Sequence, residues 1–237
     1  MPAYKRILIK VSGESLQGDK PFGIEQTALF SLAEQIKSLH ELQIQMGIVI
    51  GGGNLFRGSE IQGLGLDRTP ADQVGMLATI MNGIILQQAL EKMNVPAKVF
   101  SAIECGKVVA PYSWREVMKS LEQNIISIFV GGTSNPYFTT DTAASLRAAE
   151  IHADALFKVT KVDGVYDKDP KKYQDAVKYQ KITYSEVLAQ DLGFMDLSAI
   201  ALCKANRIPI CVFNFSMKDS LKRAALRESV GTLVTGE

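Results

Sequence analysis

The chain has 237 residues, 46% of them hydrophobic and 22% charged, with a formal net charge of +1. A chain of this size and composition can bury a core without disulfide or metal staples, which excludes disordered, collagenous and disulfide-scaffold classes. Near neutrality means that no global field recruits nucleic acid or a membrane surface, so an anionic ligand has to be held by local geometry.

The first fifteen residues, MPAYKRILIKVSGES, are basic and then apolar, as in a signal peptide. Lys10 interrupts the apolar run and no small-residue cleavage site follows, so residues 7–11 read instead as a short buried strand ending in a Ser12-Gly13 turn. Residues 25–42 carry Leu29, Leu32, Ile36 and Leu39 at helical spacing. A second strand, 44–50, closes on Gly51-Gly52-Gly53. Residues 73–90 contain no charged side chain and just reach the length of a membrane span. Gln73, Thr79, Asn82, Gln87 and Gln88 are too polar for a span, and the pattern predicts a helix buried partly in the core and partly against another subunit. A strand at 97–100 and a helix from Ser113, its expected cap, to about 123 come next. The strand 125–130 closes on Gly131-Gly132, and a helix is expected over 140–151. The last third reads as a strand at 155–159, a polar turn region at 161–170 and short helices near 184–190 and 197–206. A strand at 210–213, a helix at 218–227 and a final strand at 232–234 complete it. Continuous apolar strands alternating with helices predict an α/β architecture, a mainly parallel sheet covered on both faces. The region after about 151 is more charged and loop-rich, so a second lobe is possible without a clean boundary. Cys105, Cys203 and Cys211 show no CxxC spacing, and their odd number without a signal peptide points to a reduced, cytoplasmic compartment.

Three strands run directly into glycine loops: KVSGES, VIGGGNLFRG and FVGGTSNPYFTTD. Ligands of open α/β sheets bind beyond the carboxyl ends of strands, where glycines let backbone N–H groups approach phosphate oxygens. One such loop is weak evidence, because tight turns need glycine anyway; three at equivalent ends predict a phosphate site. The standard phosphate motifs fail. Residues 13–20 read GESLQGDK, with Asp19 where a P-loop requires lysine, and Gly51-Gly52-Gly53 is followed by Asn54, Leu55 and Phe56 rather than a GxGxxG pattern.

The charges among these glycines sharpen the expectation. Lys10 sits inside an apolar strand, either at a sheet edge or aimed at a ligand, and its place before the glycine turn favours the ligand. Arg57 follows GGGN and suits bidentate phosphate contact, unless it is a solvated loop residue. Asp141, at a helix start, is either a helix cap or a site carboxylate, and Asp72 carries the same ambiguity. His40 and His152 lie away from the loops and read as structural, which leaves few general bases and disfavours hydrolases and acyl transferases. A phosphate acceptor needs no base: with a second pKa of about 6 it is already largely dianionic at neutral pH. Catalysis of its phosphorylation is then positioning plus charge neutralisation.

On these motifs, together with KVTKVDGVYDKDP and the terminal GTLVTGE, the chain resembles bacterial uridylate (UMP) kinases of the amino-acid-kinase superfamily over nearly its whole length. The resemblance implies an αβα sandwich, a single unit of residues 1–237 with a UMP-binding part at about 1–151 and an ATP-binding part at about 152–237. It implies transfer of the ATP γ-phosphoryl group to UMP with Mg²⁺. It assigns catalysis to Lys10, Arg57 and Asp141, with Asp141 orienting Lys10, and no protein metal ligands. The ATP phosphates fall to Lys10, Val11, Ser12, Gly13, Gly53 and Arg57, and the adenine nucleotide is bordered by Thr160, Tyr166 and Asp169. UMP falls to Gly52 at its phosphate, to Asp72 at its ribose, and to the segment Thr133, Ser134, Asn135, Pro136, Tyr137, Phe138, Thr139 and Thr140.

Acetylglutamate kinases of the same superfamily place a second catalytic lysine on a late helix, where this chain reads GFMDLSAI with Asp196. The missing charge is expected from Arg57 and Mg²⁺. The resemblance also implies a homohexamer, a trimer of dimers with the charge-free helix at the dimer contact, and inhibition by UTP. Activation by GTP is expected to be weak or absent, since only Lys92, Lys98 and Lys107 lie near that helix and the strand after it. A relative phosphorylating a carboxylate, or a sensor that binds nucleotide without turnover, are the alternatives; TSNPYFTT argues against the first and the set Lys10, Arg57 and Asp141 against the second.

Overall fold

In the computed structural model, residues 3–56, 65, 67–217 and 219–236 are described. The strands are β1 (Arg6–Val11), β2 (Gln45–Ile50), β3 (Ala97–Ser101), β4 (Ala110–Pro111), β5 (Ile126–Val130), β6 (Ala155–Thr160), β7 (Lys181–Thr183), β8 (Ile210–Asn214) and β9 (Gly231–Thr235). They form one sheet in the order β4-β3-β5-β2-β1-β6-β8-β9-β7. Every pairing is parallel except β8 with β9. The mainly parallel α/β sheet expected from the sequence is therefore present.

The helices are α1 (Gln26–His40), α2 (Arg68–Lys92), α3 (Trp114–Glu122), α4 (Thr140–Glu150), α5 (Tyr184–Ala189), α6 (Leu197–Ala205) and α7 (Ser220–Ala225). A 3₁₀ turn, Gly13–Leu16, follows β1. Strand alternation sends successive side chains to opposite faces. Ile7, Ile9 and Val11 enter a core built with α1, α2 and α7, whereas Leu8 enters a second core with α3, α4, α5 and α6. Lys10 shares the parity of Leu8 and so faces α4. In β6 the same rule aligns Lys158 with Leu156.

Two strands were not legible in the hydrophobic pattern: β4 and β7 have only two and three residues at the two ends of the sheet. Ser113 precedes α3 as expected but makes no side-chain capping bond. The charge-free stretch belongs to a 25-residue helix that begins earlier, at Arg68. No helix among the described residues is long and apolar enough to cross a membrane. Instead, Ile80, Leu86, Ala89 and Leu90 of α2 are buried, while Leu77 and Met81 remain half exposed on the opposite side.

Helix α2 lies so close to the sheet that a Cβ on Gly83 would sit 2.4 Å from Val130 Cγ1. Replacing a mid-helix glycine by alanine gains about 1 kcal/mol of helix propensity. Overpacking a stiff β-branched neighbour costs about 1–3 kcal/mol. Gly83→Ala should therefore lower unfolding free energy in urea by about 1 kcal/mol; a gain of that size would show that the helix simply lifts away.

Candidate active site

Strands β1 and β6 are parallel neighbours, and their register sets Lys10 directly beside Lys158. Two ammonium groups side by side repel, and like charges opposite one another destabilise a strand pair. Asp141 resolves this. Its Oδ1 lies 2.9 Å from Lys10 Nζ and its Oδ2 accepts from Lys158 Nζ at 2.5 Å. All three side chains are nearly buried, at 13%, 9% and 13% exposure for Lys10, Lys158 and Asp141.

The helix cap is a different residue. Thr139 caps α4, its Oγ1 accepting from Asp141 N and Thr142 N. Asp141 is thereby freed to point at the lysines from the first turn, where the helix dipole also favours a carboxylate. The capping role considered for Asp141 is overturned. Asp196 holds this arrangement from behind: it caps α6 through Ala199 N and accepts from the hydroxyls of Thr139 and Thr142.

The charges respond to burial and to each other. Burial would raise the Asp141 carboxyl, but Lys10 and Lys158 together hold it below the ordinary carboxylate range. Burial pushes the Lys158 ammonium down to about 8 against the pull of Asp141, with Lys10 pushing the same way.

Two cavities flank the clamp at the carboxyl ends of the strands. One, of about 470 Å³, is bordered by Lys158, Thr160, Tyr166 and Asp169, and so brings together the three residues that the resemblance assigns to the adenine nucleotide. Tyr166 is fixed there by donating to Asp163 at 2.6 Å. The other, of about 230 Å³, is bordered by Gly52, Asp72, Asn135, Phe138, Thr139 and Thr140 of the expected UMP set. Gly53, expected on the ATP side, lines this smaller cavity beside Gly52. Thr133, Ser134, Pro136 and Tyr137 do not border it; they form the rest of the loop. Asp72 anchors that loop by accepting from Tyr137 N at 2.8 Å, and Arg68 stacks on the Tyr137 ring. Val11 is fully buried, and Ser12 caps the 3₁₀ turn by accepting from Glu14 N. Gly13 has no room for a side chain, since a Cβ there would lie 2.4 Å from Asn54 Oδ1 and 2.8 Å from Gly51 O. Arg57 lies outside the described residues. A larger cavity of about 920 Å³, bordered by Tyr4, Asp154, Cys211 and Arg227, opens away from the glycine loops. Volume therefore does not choose the site; the lysine–aspartate clamp does.

Sequence reasoning missed Lys158, the second cation of the site, and looked to Arg57 and Mg²⁺ for that charge. The signal was available: a lysine inside the apolar strand ALFKVT is the same anomaly as Lys10 in RILIKV. His40 is structural, as expected: its Nε2 contacts Asn124 O at 2.9 Å.

A buried cation clamp between two cavities, beyond the carboxyl ends of a parallel sheet and beside glycine loops, has the geometry and charge that phosphoryl transfer calls for. The amino acid kinase family matches residues 5–214, and the chain belongs to it. It is 53% identical to a uridylate kinase of Protochlamydia amoebophila, covering 97% of this chain and 92% of that protein. A uridylate kinase of Dichelobacter nodosus is 46% identical, with 98% and 97% covered. The crystal structure of a UMP kinase from Bacillus anthracis superposes with a TM-score of 0.97 at 37% identity, covering 100% of this chain and 98% of that one.

Folding lowers the Lys158 value from 10.5 to about 8. Between those values the unfolded chain binds the additional proton, so this residue makes stability rise with pH across the window. Urea unfolding at about pH 7.5 and about pH 10 should show the wild type gaining stability relative to Lys158→Met. Parallel behaviour of the two proteins would mean that Lys158 titrates at its ordinary value.

Proposed function

We propose that this chain transfers the γ-phosphoryl group of ATP to UMP, giving UDP and ADP. The observation that carries the reading is the Lys10–Asp141–Lys158 clamp between the two cavities, in a chain closely similar to uridylate kinases. Lys158 borders the larger cavity, and Thr140, next to Asp141, borders the smaller. ATP occupies the larger, against Thr160, Tyr166 and Asp169, with its phosphates on the Lys10–Gly13 turn. UMP occupies the smaller, its phosphate at Gly52 and its ribose at Asp72. On this reading the acceptor part is about 1–151 and the donor part about 152–237.

No base is needed, because the acceptor phosphate is already largely dianionic. Charge spreads over the equatorial oxygens of the transferring group, and preorganised cations stabilise it there. Lys10 and Lys158 supply that charge, and Asp141 fixes both ammonium groups so that little reorganisation accompanies transfer. Arg57 is proposed as a further cation for the ATP phosphates. Among the described residues no three His, Cys, Asp or Glu side chains are grouped to hold a metal, and Asp141 is committed to two lysines. Mg²⁺ belongs to the ATP, held by phosphate oxygens and water.

A carboxylate acceptor is not favoured, because the chains similar to this one over nearly their full length are uridylate and UMP kinases. UTP, sharing uracil and ribose with UMP, competes in the same cavity, while GTP activates weakly or not at all. The cytoplasm suits a chain whose three cysteines, Cys105, Cys203 and Cys211, are all free.

Lys10→Ala should cost about 10²–10³-fold in turnover without unfolding the protein. The check is a coupled assay of ADP release with UMP, CMP and acetylglutamate as acceptors, in which UMP should be strongly preferred. Equal rates with UMP and CMP would refute the uracil assignment, and full activity of folded Lys10→Ala would remove Lys10 from the chemistry.

The half-exposed Leu77 and Met81 support α2 as a contact between copies of this chain; the resemblance to uridylate kinases makes it the dimer contact of a homohexamer, a trimer of dimers. Met81→Glu should dissociate it, as read by sedimentation velocity at micromolar concentration. A wild type that sediments as a monomer would contradict the assembly.

A further inference from the structure

Helix α2 carries two buried polar side chains, Thr79 and Asn82, one turn apart and facing the loops rather than the core. Each reaches a different loop. Thr79 Oγ1 accepts from Gly131 N at 2.7 Å and donates to Met76 O at 2.6 Å, so its hydroxyl both gives and receives a backbone bond. Asn82 Nδ2 donates to Gly51 O and to Asn54 Oδ1, both at 2.7 Å. Asn54 Nδ2 returns a bond to Asn82 Oδ1 at 3.2 Å and also reaches Gly23 O at 3.0 Å. The two amides form a closed reciprocal pair, and the pair backs the Gly13 turn, whose missing Cβ would collide with Asn54.

Apolar packing alone does not call for this pattern. A valine in place of Thr79 would fill the same space and leave Gly131 N–H buried without a partner. Replacing Asn82 by an apolar residue would strand Gly51 O and the Asn54 amide in the same way. What the polar residues add is registry: one turn of one helix fixes the start of the Gly131–Thr140 loop and the Gly51–Gly53 loop relative to each other.

We propose that Thr79 and Asn82 are positioning residues for phosphoryl transfer. Thr79 sets the acceptor loop through Gly131, and Asn82, through Asn54 and Gly51, sets the loop that supports the Lys10–Gly13 turn. Neither needs to touch the reacting atoms. The inference rests on the reading of the two cavities as acceptor and donor sites. Positional errors near an ångström are costly in such a reaction, because rate depends on holding donor and acceptor near attack geometry.

The test is steady-state kinetics with ATP and UMP on folded variants, with thermal melting recorded alongside. Thr79→Val should raise KM for UMP about tenfold or more and leave KM for ATP within about twofold. Thr79→Ser, which keeps the hydroxyl, should restore the wild-type value. Asn82→Ala should lower kcat by about ten- to a hundredfold with KM for UMP little changed. Asn54→Ala removes the same pair from the loop side and should reproduce that loss, which keeps the test open if Asn82→Ala does not fold. A lowered melting temperature with unchanged kinetic constants would reduce both residues to structural ones, and equal rises in both KM values would remove the division of labour. Asp72→Asn separates the two levels of the argument. If it leaves KM for UMP unchanged, the acceptor assignment fails; if it raises KM for UMP while Thr79→Val does not, the positioning role fails and the assignment stands.

Discussion

The site depends on one carboxylate held between two lysines. Parallel pairing of β1 and β6 forces Lys10 and Lys158 into neighbouring positions toward the carboxyl ends of two central strands. Two nearly buried ammonium groups in that position are unfavourable without a counter-charge, and Asp141 supplies it to both. Removing Asp141 would leave two nearly buried ammonium groups without a counter-charge, at a cost of about 3–5 kcal/mol. The clamp nevertheless keeps a net positive charge, because one carboxylate faces two ammonium groups. That surplus lets the arrangement receive an anion; the depressed Lys158 value comes first from burial, with Lys10 adding to it.

The helix that carries Asp141 has to begin at the right place. Thr139 starts α4 as its N-cap and leaves Asp141 free of that role. Asp196 ties the hydroxyls of Thr139 and Thr142 to the first turn of α6. The starts of two helices are thus held together behind the clamp, and the Asp141 side chain has little freedom left. This is the preorganisation that electrostatic catalysis requires.

On the other side of the sheet, α2 plays a matching part with opposite chemistry. Its apolar residues pack into the core, its buried polar residues hold the glycine loops, and its outer stripe stays apolar and exposed. Leu77 and Met81 sit on the same helix as Thr79 and Asn82, which bond Gly131 and Gly51. Assembly on that face would therefore bear on the loops through a rigid element rather than through a flexible tether.

Local pattern was enough to order most of the fold. Apolar runs closed by glycines marked β1, β2 and β5, and helical spacing marked α1, because periodicity is written within each segment. The anomaly of a lysine before a glycine turn was enough to single out Lys10. Tertiary structure alone decided the rest. Strands β4 and β7 are too short to carry a period and exist through their neighbours. Whether Asp141 caps a helix or binds lysines, and which lysine stands beside Lys10, followed from the register of strands remote in sequence. Asn54 and Asn82 look like ordinary loop and helix polar residues until folding buries them against each other. Sequence carries side-chain period and turn chemistry; partners for buried charge and buried amide are set by non-local packing, where each unpaired group would be costly.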